Sequence, residues 1–426
     1  MWRSLFLFLS FLHFYIATSQ SLEECQQAAE ANYPLIRQYG LIEKTTELTV
    51  ANIQKGWLPQ ISASAQATYQ SDVTAWPDQM KGMMTTMGID MKGLTKDQYR
   101  VGIDVSQTLY DGGAISSQRR IAREQGKVQA AQNEVNLYNV RKRVNEMYFA
   151  LLLLDDQIRL NSDLQALLLG NEQKLASMVK NGTAAESDLQ SVKAERLNVV
   201  QQKTSLESQK RMLQTMLSTF CSIEVKAVEK PALMADGGGL AAENSRPELK
   251  ALDAQIGLLD AQEKALNSVL MPKLGVFVQG YYGYPGLNMF EDMMRHDWSL
   301  NGIIGARLTW NIGALYTRKN DKAKLNGQRS MVNVQRDVFL FNSRLEQIQQ
   351  NEEITRYRKL MADDDEIISL RSAVRKAAES KLSHGIIDVN DLVREINAEN
   401  AARLQQSMHE IEMLKQIYDQ KFTLNE

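Results

Sequence analysis

The sequence predicts a mainly α-helical protein with a β-barrel part, built from two copies of one helix–β-hairpin–long helical hairpin unit. Three observations carry this: an internal repeat that organises the chain, four strand-length runs of strict period two, and long proline-free stretches with heptad apolar spacing. The 426 residues hold only 7 Pro and are rich in Ala, Gln, Glu, Lys and Leu, a composition of extended helices. Charge is balanced, 49 Lys and Arg against 51 Asp and Glu, so no basic face favours nucleic acid as a partner.

Residues 1–19 read as a cleaved export leader. Arg3 precedes an apolar run from Leu5 to Ala17, and Ala17-Thr18-Ser19 supplies the small residues of a cleavage site. The run is too short for a spanning helix, which needs about 20 residues. Cys25 follows Leu22-Glu23-Glu24, so no lipid-attachment signal is evident. Beyond the leader no run reaches transmembrane-helix length, which leaves a periplasmic, secreted or β-barrel protein. Cys25 and Cys221 are two buried thiols or a disulfide; spacing does not choose between them.

The repeat shows in three anchor sets in the same order. Pro34 and Pro59 recur as Pro247 and Pro272, both 213 residues on, with Pro59 and Pro272 each starting a strand. Asp111-Gly112-Gly113-Ala114 matches Asn311-Ile312-Gly313-Ala314 at a spacing of 200, and Gly182 with Asp188 matches Gly385 with Asp391 at 203. The shortening falls between Pro and Gly, where a surface loop tolerates it. The first repeat then spans 20–218, a linker 219–246, and the second repeat 247–426.

Strands are expected at about 60–70, 99–110, 273–283 and 299–310. In the first, Ile61, Ala63, Ala65, Ala67 and Tyr69 alternate with Ser62, Ser64, Gln66, Thr68 and Gln70. Val101, Ile103, Val105 and Leu109 make the second apolar row, Leu274, Val276, Val278 and Tyr282 the third, and Ile304, Ala306, Leu308 and Trp310 the fourth. Each run matches a tilted transmembrane strand, and aromatics gather at the ends: Trp57, Tyr69, Tyr99, Tyr110, Tyr282, Tyr284, Trp298 and Trp310. Four strands cannot close a barrel without unpaired edges in lipid, so an oligomer is required. Three copies make twelve strands, enough for a wet interior behind the polar rows.

Long helices are expected at about 113–179, 185–218, 313–381 and 388–424. Asp111 and Asn311 stand at the strand-to-helix turns as N-cap acceptors, with Gly113 and Gly313 allowing the change of path. Some sixty helical residues span roughly 100 Å. Val144, Met147, Leu151, Leu154 and Ile158 form a heptad seam; Val192, Val199, Leu206 and Leu213 step by seven, as do Leu360, Ile367 and Val374 in the second copy.

Together these motifs resemble the TolC family of outer-membrane efflux channels over nearly the whole mature chain. The carriers are Pro34-Leu35 and Pro247-Glu248-Leu249, Leu58-Pro59 and Met271-Pro272, the Gly113 and Gly313 turns, and the two Gly-x₅-Asp-Leu tips. The resemblance implies a homotrimer with a twelve-stranded barrel in outer-membrane lipid and an α-helical barrel in the periplasm. It implies a passive conduit of a tripartite pump or type I secretion system, docked with a periplasmic adaptor and an inner-membrane transporter. The segment 219–246, with Gly237-Gly238-Gly239, becomes the equatorial linker. Gly182, Asp188, Gly385 and Asp391 fall at the periplasmic aperture, where adaptors engage. A ring of Asp there attracts cations, or the same carboxylates cap the return helices. The chain departs from the family where some members hold the closed state: Ile387 replaces an Arg and Arg394 an acidic residue.

Met80, Met83, Met84, Met87 and Met91, with Met289, Met293 and Met294, occupy the two strand loops. Thioethers suit soft metals, but Met is also a flexible filler, and no metal site is assigned. The four histidines are scattered and no phosphate loop, HExxH or Gly-x-Ser-x-Gly occurs, so neither catalysis nor a cofactor is expected. The alternative is a periplasmic coiled-coil structural or adaptor protein that never enters a bilayer. A third reading specialises the barrel for soft-metal export.

Overall fold

The computed structural model describes residues 19–89, 92–232 and 244–425. All of the expected leader but Ser19, together with Met91 and the three linker glycines, lies outside them. In chain order the elements are α1 (Leu22–Asn32), α2 (Ile36–Gln54), β1 (Gln60–Tyr69), α3 (Asp78–Thr86), β2 (Asp97–Tyr110), α4 (Ala114–Lys180) and α5 (Glu186–Cys221). The second half holds α6 (Pro247–Val269), β3 (Lys273–Tyr284), α7 (Met289–Arg295), β4 (Ser299–Thr309), α8 (Ala314–Ser383) and α9 (Val389–Leu424). From α2 and α6 onward the halves have the same element order, including a short helix in each hairpin loop. No described helix is long and apolar enough to cross a membrane.

Local chemistry explains the boundaries. Ser21 and Glu24 form a reciprocal capping box at the start of α1, with bonds of 3.2 and 3.0 Å. Pro247 is the first residue of α6, where its missing N–H costs nothing. Pro34 instead sits in the break between α1 and α2. The two prolines are repeat-equivalent in sequence, yet only one opens a helix directly.

The four strands form one antiparallel sheet in the order β1-β2-β3-β4. Pairing of β2 with β3 joins the hairpins of the two repeats. A register shift between Thr108 and Tyr110 sets Tyr110 opposite Leu274. Leu109, expected in the apolar row, is therefore the extra residue of a bulge.

The chain divides into two compact units. One comprises residues up to Tyr39, Ala131–Ala251 and Gln335 onward; its core joins Leu22 and Cys25 of α1 to Val144, Tyr148 and Leu151 of α4, Leu217 and Cys221 of α5, and Leu414 of α9. The α4 seam is buried here: Val144, Leu151 and Leu154 are buried, with Met147 packed alongside. The other unit comprises Gly40–Ala130 and Leu252–Val334 and contains the sheet. Its hairpin loops have their own small core of Leu94, Tyr284 and Met293, flanked by Val73 and Trp76. Tyr284, expected among the aromatics at the strand ends, is buried in that core.

The two strand-to-helix turns differ. Buried Asp111 accepts the Gly113 N–H at 2.8 Å and the Ile115 N–H at 2.5 Å. Gly112 and Gly113 take φ of +68° and +84°, and a Cβ on Gly112 would stand 2.5 Å from that of Met271. Asn311 is exposed, and Gly313 does not adopt a left-handed backbone. The second turn thus needs neither the side-chain cap nor the glycine. Replacing Gly112 by Ala should destabilise the protein by about 2 kcal/mol or more, whereas Gly313→Ala should be near neutral. Thermal melting of the detergent-purified protein reads the difference.

Candidate functional site

The sheet sorts its side chains into two unlike faces. Register aligns Ile61 with Val105, Ala63 with Ile103 and Ala65 with Val101; across β2 and β3, Val105 meets Val278 and Val101 meets Tyr282. Leu274, Val278 and Tyr282 of β3 oppose Leu308, Ile304 and Leu300 of β4. Opposed residues share a face, so the apolar rows merge into one surface. That surface is bare: Ile61 is 72% exposed, Ile304 81% and Leu300 83%. Burial of a soluble hairpin would have covered it.

Aromatics border the face at both ends. Trp298 stacks on Tyr99 at 6.0 Å and meets Tyr282 at 5.4 Å on the loop side, with Tyr69 exposed on the same side. Trp57, Tyr110 and Trp310 are exposed at the helix side, where Trp310 donates its indole N–H to the Leu270 carbonyl at 2.9 Å.

The opposite face is polar and carries two arginines that sequence reading did not single out. Arg100 lies 3.9 Å from the ring centre of Tyr281 and Arg307 5.0 Å from that of Phe277. Each is a cross-strand cation–π pair. The signal was present as arginine in a polar strand row, but only register shows which ring each one meets.

A second bare surface runs along α8. Met331, Val334, Val338, Phe341, Leu345 and Ile348 step alternately by three and four and are all exposed. Leu360, Ile367 and Val374 are exposed too. They lie on the outgoing helix α8, so this heptad row faces out of the chain; the matching row on α5 buries Val192 and Val199. A coiled-coil seam without a partner is a docking face.

The helical hairpins end in two like-built tips. In the first, Gly182 has φ +73°, and the Thr183 N–H bonds the Met178 carbonyl at 2.9 Å. In the second, Gly385 has φ +71° and the Ile386 N–H bonds the Lys381 carbonyl at 2.9 Å. These left-handed glycines close the last turns of α4 and α8. Asp188 and Asp391 occupy the third position of the return helices, but their roles differ. Asp188 accepts the Ala185 N–H at 3.4 Å. Asp391 caps nothing with its side chain; its N–H is bonded by Asp388 at 2.9 Å, and Asp388, not picked out from sequence, is the N-cap. The Asp391 carboxylate instead pairs with Arg394 at 3.0 Å. Ile387 packs onto a core of Leu168, Val192, Leu392 and Ile396 between the hairpins. Position 387 therefore contributes apolar packing and no charge.

Further along, Glu399 is 5% exposed and holds Arg375 of α8 and Arg403 of α9, the latter at 2.8 Å. Burial raises its pKa, but the hydrogen bonds of Arg403 and Arg375 outweigh that and leave it below the usual glutamate value. Of the loop methionines, Met293 is a core residue, whereas Met80, Met83, Met87, Met289 and Met294 are exposed.

Residues 26–218 match the family described as outer membrane efflux protein. The fold of nearly the whole chain is similar to that of solved outer-membrane channels. It is similar to the outer-membrane channel OprN, 12% identical with a TM-score of 0.67 over 95% of this chain and 89% of that one. It is similar to the Campylobacter jejuni CmeC outer membrane channel, 12% identical with a TM-score of 0.65 over 95% and 85%. The outer membrane protein VceC from Vibrio cholerae gives 10% identity and a TM-score of 0.65 over 95% and 94%. No curated protein matches.

Within residues 26–218 the sequence matches the outer membrane efflux protein family, and over nearly all of its length the chain has the fold of outer-membrane channels. The family matched in that segment is one of outer-membrane efflux proteins, conduits rather than enzymes. Removing the Glu399 charge by Glu399→Gln leaves Arg375 with Glu379 alone, at 2.7 Å, and should cost about 2 kcal/mol. Because the folded pKa is lowered, this contribution is complete above the ordinary glutamate value of about 4.3 and is lost as pH falls through the lower folded value. Melting curves of both proteins, compared at pH 7 and near pH 3, should converge at the acid end.

Proposed function

We propose that three copies of this chain close a twelve-stranded barrel in outer-membrane lipid, continued in the periplasm as an α-helical barrel. The trimer is the passive outlet of a tripartite efflux pump or type I secretion system, joined to a periplasmic adaptor and an inner-membrane transporter. Channels of this family work as trimers with pump partners in general.

The observation that carries the reading is the single exposed apolar face between two aromatic borders. Eleven steps separate Tyr99 from Tyr110. At about 3.3 Å per residue and a tilt of about 45°, they rise roughly 25 Å, the height of an outer-membrane apolar band. Among the described residues β1 and β4 each have one strand partner, so lipid demands closure by further copies. Two copies would make an eight-stranded barrel filled by side chains, whereas the Arg100, Gln279 and Arg307 row suits the wet lumen of twelve strands. The α8 seam supplies the matching helical contact between copies.

At the far end Gly182, Asp188, Gly385 and Asp391 form the periplasmic aperture and adaptor tip. Ile386, 69% exposed beside Gly385, gives that tip an apolar contact point. The salt bridge to Arg394 leaves the Asp391 ring partly neutralised, so cation attraction at the aperture is weaker than bare carboxylates would give. The equatorial linker 219–246 returns the chain to the second repeat.

The test places a lysine on either face. Ile304→Lys, at the middle of β4 on the apolar face, should cost about 2–4 kcal/mol and remove the protein from the outer-membrane fraction. Ser64→Lys, at the middle of β1 on the polar face, should assemble normally, and light scattering of the detergent-purified protein should give three chains. A soluble monomer, or equal tolerance of both lysines, would overturn the barrel.

A further inference from the structure

We propose that Cys25 and Cys221 are joined by a disulfide in the mature protein, tying α1 to the end of α5. They are the only two cysteines in 426 residues. The fold brings them together from 196 positions apart, and both are fully buried in the same core. The Cys221 thiol donates to the Cys25 carbonyl at 3.3 Å, which sets the two side chains against each other in that core.

The surroundings hold the pair in register without either cysteine's help. Asn32 of α1 donates to the Cys221 carbonyl at 2.9 Å. Gln20 pairs in parallel with Val228 beyond α5, and the Tyr148 hydroxyl donates to the Gln20 carbonyl at 2.9 Å. Both thiols are free in the structure, and the bond requires the Cys221 side chain to turn from the Cys25 carbonyl to its sulfur. Compartment supplies the rest of the argument, and here the proposal rests on the outer-membrane assignment. Both cysteines belong to the unit built from helices, outside the sheet, and thiols that fold on the periplasmic side meet an oxidising environment.

Timing follows from burial. Once the core has closed, the hydrogen bond from Cys221 and burial together push the Cys25 pKa far up, so its thiolate is scarce and out of reach. The bond forms before closure, by exchange with a periplasmic protein disulfide oxidase. One cysteine, as thiolate, attacks the oxidase disulfide and makes a mixed disulfide. The second thiolate attacks that bond, the Cys25–Cys221 bond forms, and the oxidase leaves as a dithiol carrying the two electrons and two protons.

The experiment expresses the full chain with its own leader in a Gram-negative host, quenches thiols with acid and isolates the outer-membrane fraction. The denatured protein is treated with a maleimide–polyethylene glycol tag before and after reduction. The expected result is no tag before reduction and two after it, with no reductant-sensitive dimer. Cys25→Ser and Cys221→Ser should each accept one tag without reduction and melt several degrees below the parent. Two tags before reduction on protein in the outer membrane would overturn the bond and leave the localisation intact, as would a dimer released by reductant. Absence of the chain from the outer membrane would overturn the localisation, and the bond with it.

Discussion

A backbone N–H or C=O that faces hydrocarbon without a partner costs several kcal/mol, and a four-stranded sheet has two edges full of them. Here those edges belong to β1 and β4, while β2 and β3 are paired on both sides. The rest of the molecule answers to this constraint. Each repeat contributes only one hairpin, too little to stand alone in any solvent. Duplication doubles the sheet and pairs β2 with β3 across a long helical insertion. In the proposed barrel, closure of the remaining edges comes from other copies, which makes assembly part of folding for this unit.

The helices meet the same need by other means. Within the chain, the α4 seam and the α5 row are covered by neighbouring helices, and the core around Tyr148 anchors the N-terminal α1. On α8 a different apolar row, Met331 to Ile348, is left open over several turns. Sheet edge and helix face are thus unsatisfied in the same protomer, one through missing hydrogen bonds and the other through uncovered apolar area. An assembly that closes one supplies neighbours for the other.

At the tips, two turns of like backbone carry unlike chemistry. Left-handed Gly182 and Gly385 are equivalent, but Ala185 in the first tip stands where Asp388 caps the second return helix. In the second tip Ile387 adds apolar packing, and Asp391 pairs locally with Arg394. Apolar packing of this kind responds less to salt than exposed ion pairs do.

The sequence by itself determined the repeat, the strand and helix order, and which rows are apolar. Period-two and heptad patterns, with glycine and proline at the turns, are local properties, so Ile61 to Tyr69 reads as a half-apolar strand without knowledge of its neighbours. The tertiary structure decided what those rows touch. Strand register made four apolar rows one face, set Arg100 on Tyr281 and displaced Leu109 into a bulge. It buried Tyr284 in a loop core, made Asp388 rather than Asp391 the cap, and turned the Leu360–Val374 row outward. It also brought Cys25 to Cys221 across 196 positions. Each of these depends on pairing between distant segments, where no local periodicity distinguishes one partner from another.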